Sequence, residues 1–249
     1  MREAAVLKTR QDDALSLVLN RPEQGNALSP DLVEALIEIF ESQLETRCVN
    51  LTGAGAHFCT GFYLTDIEDL TDGDVLWRIL RIEHLLQLVH HASVPVAAFA
   101  QGQSVGAGAD LFAACAFRIA DPNTKFRMPG WNFGLALGTR RLTALIGTDA
   151  ARDMLIDTKI VSGTQAAETG LATYAAPQTE WDNMASTIVK RAQVLPEQSL
   201  SDMLSMTQFD SRDADLASIV KTAGRPGLKS RIIAYRDRVL AARKRKDAS

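Results

Sequence analysis

Cysteine is scarce in this chain, and its pattern is unpaired. Cys48, Cys59 and Cys115 are the only three, widely spaced and without a CxxC. That excludes a disulfide framework and predicts free thiols in a reducing compartment. A charge excess is missing too. The formal net charge is -3, which offers nucleic acid or an anionic membrane no broad basic surface. No apolar run approaches the ~18 residues needed to span a bilayer, and Met1-Arg2-Glu3-Ala4-Ala5 carries no leader-like apolar stretch. The expectation is a cytoplasmic protein with no nucleic-acid or membrane partner. Histidine is rare and poorly placed: His57, His84, His90 and His91 all precede Ser104. His90 and His91 are adjacent and cannot both face one site on a helix, so no metal centre is expected.

What the chain does contain is ordinary globular material, 46% hydrophobic and 23% charged. Its 249 residues can bury roughly 70–75% of the surface exposed when unfolded. Strand and helix patterns alternate to about residue 194, and beyond it the pattern is helical. This predicts an α/β fold with a core of residues 1–194 and a helical C-terminal region of residues 195–249. The basic run Arg243-Lys244-Arg245-Lys246 reads as a solvated helix end, where cations meet the negative pole of the dipole.

Ala14 to Asn20 has a strand pattern, and Ser29-Pro30-Asp31 opens a helix, with Ser as the N-cap, reaching about Glu45. Cys48 to Thr52 reads as a strand, the acidic stretch Leu64 to Gly73 as a mobile loop, and residues 75–92 as a helix. Val94 to Ala100 is continuously apolar, as in a strand buried on both faces. A small-residue turn, Ser104 to Gly108, then feeds a helix at Asp110 to Cys115, and Phe117 to Ala120 and Lys125 to Met128 are short strands.

The turn after Val94–Ala100 carries the chemistry. A strand feeding a helix through small residues gathers unpaired N–H groups and a positive dipole end at one point. Such a point binds an anion or an oxygen that becomes anionic. A Walker loop would need a lysine here, and a GxGxxG fingerprint fails at Leu111. Gly102-Gln103-Ser104-Val105-Gly106 matches GxSxG, but no histidine follows the serine to complete a hydrolase triad. Ser104 therefore reads as a turn residue using its hydroxyl locally. A second turn, His57 to Leu64, contains Gly61, which can present the Phe62 N–H outward.

Taken in order, these segments resemble the crotonase superfamily, that is, the enoyl-CoA hydratases and isomerases. The resemblance rests on Leu19-Asn20-Arg21-Pro22 with Asn26-Ala27-Leu28, on Leu51-Thr52-Gly53 with Phe58-Cys59-Thr60-Gly61, on Val94 to Ala98 with Gly102, Gly106, Gly108, Asp110 and Leu111, and on Gly163 to Leu171. It implies a spiral of repeated ββα units, a helical C-terminal region and a homotrimer or hexamer. It also implies an acyl-CoA thioester substrate, with no cofactor beyond the coenzyme A that the substrate carries. Carried over by position, the N–H groups of Phe62 and Ala107 form an oxyanion hole, and Asp110 occupies the catalytic acid position. Thr60, Gly61, Tyr63, Leu64, Gly106, Gly130 and Trp131 surround the acyl thioester. Arg21, Gln24 and Lys229 are assigned to the nucleotide end of coenzyme A.

Two departures bear on the reaction. The first of the family's two glutamates is the shorter Asp110, and the second position, after Pro129, is Gly130. The loop Gly134 to Thr139 is also shortened. Gly61-Phe62-Tyr63-Leu64 resembles the 4-chlorobenzoyl-CoA dehalogenases, but the aspartate nucleophile of that branch is missing between Gly130 and Thr148. A two-carboxylate hydratase is therefore not expected. The sequence leaves open an enolate-forming isomerase or lyase, a decarboxylase, a thioester hydrolase and a non-catalytic acyl-CoA binder. At Asp110 the helix dipole is expected to lower the carboxyl pKa. Glu83 and His84 are expected beside the acyl pocket as further proton sources.

Overall fold

Each turn of the chain lays one strand into a large sheet and one extended segment into a small sheet. The computed structural model describes residues 3–11 and 13–247. Strands β1 (Val6–Gln11) and β2 (Ala14–Leu19) form an antiparallel pair, followed by α1 (Pro30–Glu41), β3 (Cys48–Gly53) and α2 (Asp72–His90). Then come β4 (Val96–Ala100), β5 (Gln103–Val105), α3 (Ala107–Ala114), β6 (Phe117–Ala120), β7 (Lys125–Arg127), α4 (Thr139–Ile146) and α5 (Thr148–Ile156). The next elements are β8 (Val161–Ser162), α6 (Gly163–Thr169), β9 (Tyr174–Ala175), α7 (Trp181–Gln193), α8 (Glu197–Thr207), α9 (Arg212–Ala223) and α10 (Leu228–Asp247). The large sheet runs β1-β2-β3-β4-β6-β9, parallel from β2 onward, and the small sheet runs β5-β7-β8. This is the ββα spiral that the resemblance implies.

Local sequence explains the elements. In β2 the buried residues Leu15, Leu17 and Leu19 alternate with half-buried ones. Every residue of β4 is buried, as a central parallel strand requires. Helix α1 starts at Pro30 as expected but ends at Glu41. The Ser29 hydroxyl makes no capping bond and instead donates to the Asp31 carboxylate at 2.5 Å.

Three expectations are corrected. The acidic stretch from Leu64 is not loose: Ile67 is fully buried, and Arg78 grips Asp66 through two bonds of 2.8 and 2.7 Å. Helix α2 accordingly starts at Asp72, behind a capping box of Thr71 and Asp74. Ser104 lies in β5 rather than in a turn, and its hydroxyl is buried with no hydrogen-bond partner.

All three cysteines are buried and free. Burial pushes each thiol up to about 12, so none is a nucleophile at neutral pH. Among the described residues, no helix is long and apolar enough to cross a membrane.

The C-terminal helices fold back over the core. Ile219 and Ala223 of α9 and Leu228 and Ile232 of α10 pack with Ile67, Val75, Ile79 and Leu135. Asp72, at the start of α2, accepts from the N–H groups of Gly227, Leu228 and Lys229 at 2.9, 3.2 and 2.8 Å. One carboxylate thus joins the N-termini of two helices. This latch places α10 as a roof over the cavity described next.

Candidate active site

The extended segment Cys59–Phe62 is sewn between two others. Cys59 N–H donates to Gln103 O at 3.2 Å, Val105 N–H donates to Cys59 O at 3.0 Å, and Leu28 N–H donates to Gly61 O at 2.7 Å. Gly61 has φ +96, and a Cβ there would run into the Val105 carbonyl and sit 3.4 Å from Ala107 N. Only glycine tolerates that backbone angle and that approach. The close approach brings two N–H groups to one cavity. Ala107 is the first residue of α3, so its N–H has no acceptor within the helix. Phe62 N–H has no acceptor among the described residues. Both residues line a cavity of 690 Å³.

The cavity lining is mixed. Leu64, Ile79, Ile82, Phe133, Leu135 and Leu137 contribute apolar surface; Gln24, His57, Thr60, Lys125, Arg127 and Arg236 contribute polar and basic groups. A larger cleft of 1090 Å³ holds His84, His91 and Arg212 beside α8. It contains none of the paired N–H donors and lacks Asp110, so it is not the reaction chamber.

Asp110 is the only carboxyl among the described residues lining the 690 Å³ cavity. It is 3% exposed, and its Oδ1 has no hydrogen-bond partner. Burial holds its pKa well above the usual carboxyl range; Glu83 and Asp215 add to the rise, and Arg141 opposes it. The dipole expectation is therefore corrected, because desolvation of the charged form outweighs the helix end. The raised value suits proton transfer to and from carbon, which the dipole alone would not.

Of the residues singled out from sequence, the fold brings Phe62, Ala107, Asp110, Gln24, Thr60, Leu64, Gly106, Gly130 and Trp131 to the cavity, with Gly61 directly behind Phe62. Tyr63 is not among the lining residues. Arg21 is turned away: its guanidinium donates to Asp31 at 3.2 and 2.7 Å and to the carbonyls of Ala4 and Asn20. Lys229 Nζ donates to the carbonyls of Glu68 and Leu70 at 2.6 and 2.7 Å, which makes it a cap on the Ile67 turn. Glu83 is held in a buried ion pair by Arg141 and does not line the cavity, while His84 pairs with Glu41 at the larger cleft. Neither is placed to exchange a proton with a ligand in the 690 Å³ cavity.

Sequence reading missed His57, Lys125, Arg127, Tyr235 and Arg236. The alternation Lys125–Phe126–Arg127, with only Phe126 buried, was a usable signal. So was the helical spacing of Ile232, Tyr235, Arg236, Val239 and Leu240, all of which reach the cavity.

Gly130 shows why a second acid is absent. Its carbonyl accepts from Leu135 N–H at 2.9 Å, and a Cβ at 130 would lie 2.8 Å from the Leu135 carbonyl. The shortened loop closes on itself and leaves no room for any side chain. Gly130→Glu is expected to lower stability by about 1–3 kcal/mol, the usual cost of overpacking. It is also expected to create no hydratase. Thermal melting and ¹⁸O uptake into enoyl-CoA check both, and an unchanged melt with new hydration would contradict this account.

Spiral core, paired N–H donors at a glycine-lined turn and one buried carboxyl together define the crotonase class of proteins. The chain belongs to the enoyl-CoA hydratase/isomerase family, whose sequence profile matches residues 9–237. It is 32% identical over 173 residues to a protein named as a probable enoyl-CoA hydratase of Mycobacterium leprae, covering 66% of this chain and 68% of that protein. A crystal structure from Bordetella parapertussis, assigned to the enoyl-CoA hydratase/isomerase group, superposes with TM-score 0.91 at 37% identity and covers 94% of this chain and 98% of that one. The enoyl-CoA hydratase of Bacillus halodurans superposes with TM-score 0.82 at 19% identity, covering 92% and 99%. At that identity the likeness concerns the fold alone.

Proposed function

We propose that the protein acts on an acyl-CoA thioester through an enolate, moving a proton between acyl carbons with Asp110, the only carboxyl among the described residues that lines the cavity. The observation that supports this reading is that two residues whose N–H groups have no acceptor among the described residues, Phe62 and Ala107, line one cavity with a single buried, unpartnered carboxyl. The Phe62 and Ala107 N–H groups hold the thioester carbonyl oxygen. As the Asp110 carboxylate takes a proton from carbon, negative charge collects on that oxygen. Fixed donors in a dry site stabilise it there. Asp110, now a neutral acid, returns the proton to another carbon, which is isomerisation with nothing gained or lost. Hydration by the family's two-carboxylate route needs a second acid to activate water, and among the described residues no carboxyl other than Asp110 lines the cavity. Lys125 and Arg127 in the cavity lining are better placed for the phosphates of coenzyme A than Arg21 or Lys229. Assembly into a homotrimer or hexamer, which the family resemblance implies, belongs to the same proposal.

The test is mass spectrometry of a mixed acyl-CoA panel incubated with the protein in D₂O and, separately, in H₂¹⁸O. Deuterium entering the acyl chain without ¹⁸O is the expected result. Uptake of ¹⁸O would overturn the reading in favour of hydration or thioester hydrolysis. Bound but unchanged esters would reduce the protein to an acyl-CoA binder.

A further inference from the structure

Behind the helix that opens against Asp110 lies a largely buried ionic cluster. Arg141 of α4 donates to both carboxylate oxygens of Glu83 of α2, at 3.0 and 2.5 Å, and lies 3.5 Å from Asp215 of α9. Asp215 also accepts from the Ser211 hydroxyl at 2.6 Å and from Arg140 at 3.0 Å. Glu83, Arg141 and Asp215 are 1%, 4% and 4% exposed. Burying such a set is poor value for stability, because desolvation cancels most of the attraction. Its location suggests another use.

Helix α4 begins against Asp110: a Cβ on its cap residue Gly138 would land on the Asp110 carboxyl. Arg141 follows on the first turn of that helix. Asp110 Oδ1, an acceptor, and Arg141 Nε, a donor, are both buried without a hydrogen-bond partner. From its own helix Asp110 faces no other charge, and β5 presents only Gln103, Ser104 and Val105. Helices α2, α4 and α9 present Glu83, Arg141 and Asp215. Cys59 and Cys115 nearby are neutral thiols. His57, Lys125, Arg127, Tyr235 and Arg236 line the same cavity as Asp110. The cluster behind it thus holds two carboxylates against the buried Arg141 guanidinium and the partly exposed Arg140, which reaches Asp215 from the solvent side.

We propose that Arg141, clamped between Glu83 and Asp215 on the helix that opens against Asp110, is a positioning residue that balances the charge of the Asp110 carboxyl for proton transfer through space. Through Asp215, a helix of the C-terminal region takes part in tuning the reaction. The inference rests on the proposed role of Asp110. It commits to opposite effects from opposite charges. Removing the Asp215 carboxylate leaves the Arg141–Glu83 clamp intact and takes a repelling charge away, so Asp110 ionises more readily. Removing the Arg141 cation does the reverse.

The experiment is the pH profile of kcat/KM for α-proton exchange of an acyl-CoA in D₂O. Its rising limb reports Asp110 in the free enzyme. Asp215→Asn is expected to move that limb to lower pH by roughly one unit, the shift that one charge about 12 Å away gives at an effective dielectric of about 20. Arg141→Gln is expected to move it to higher pH, and Arg141→Lys to restore most of the wild-type profile. If Arg141→Gln does not fold, Asp215→Asn decides alone. A wild-type limb in folded Asp215→Asn, or a shift to higher pH, would overturn the inference and leave the cluster as packing. Full exchange in Asp110→Asn would overturn the proposed function itself, which is a separable failure.

Discussion

Asp110→Asn is expected to abolish enolate chemistry, with a loss of about 10²–10⁴ in kcat, the usual contribution of a positioned acid or base. No other carboxyl among the described residues lines the cavity, so nothing nearby can take over. The KM for acyl-CoA is expected to change little, since in the proposed mechanism the carboxyl serves the reacting carbon and not the nucleotide. The same substitution has a signature in stability. Burial raises the folded-state pKa of Asp110 well above its unfolded value. As pH rises between those two values, the unfolded chain releases a proton that the folded chain retains, so the wild type loses stability across that window. Asp110→Asn has no such proton to lose. Its melting temperature relative to wild type should therefore climb as pH is raised from the usual carboxyl range toward neutrality. A pH-independent difference would mean that Asp110 is not desolvated as described, and retained exchange would mean that it is not the proton carrier.

Gly61→Ala is expected to cost about 10²–10³ in kcat, as loss of one oxyanion donor does. The added methyl meets the Val105 carbonyl in a backbone conformation of φ +96 that L residues rarely adopt. The strand Cys59–Phe62 must move away from β5, and the Phe62 N–H moves with it. Both kcat and kcat/KM should fall together, because the donor matters most when charge is on the oxygen. Gly73→Ala is the control. It lies in the first turn of α2, where a Cβ finds only ordinary contact with the Thr71 hydroxyl at 3.5 Å. It should leave turnover unchanged, with up to about 1 kcal/mol of added stability from helix propensity. Comparable activity in the two variants would remove the Phe62 N–H from the mechanism.

Much of the site was legible in the chain because it is built from backbone. A turn that must pass close to another backbone needs glycine, so Gly61, against the Val105 carbonyl, and Gly108, against the Cys59 carbonyl, leave a direct trace in sequence. The carboxyl position was legible only through the family resemblance, which assigns the catalytic acid to Asp110. Its electrostatics were not. The local view saw a helix N-terminus and predicted a lowered pKa. The tertiary view adds burial, Glu83 and Asp215, and the direction reverses.

The basic residues show the same limit. Arg21 and Lys229 are well spaced for a nucleotide in sequence. Asp31 takes the first, and the carbonyls of Glu68 and Leu70 take the second. The pairing partner is a property of the fold, since each of these contacts joins residues far apart along the chain or on different elements. Lys125, Arg127 and Arg236 reach the cavity because a short strand and the roof helix converge there.

Periodicity and turn chemistry by themselves determined the α/β alternation, the buried central strand and the two donor turns, because these depend on neighbours within a few residues. Only the tertiary structure decided which charges are free, which way the Asp110 proton affinity moves and why position 130 must stay glycine. Burial and long-range charge act through space, and a loop closing back on its own carbonyl leaves a bare glycine in the sequence without stating the reason for it.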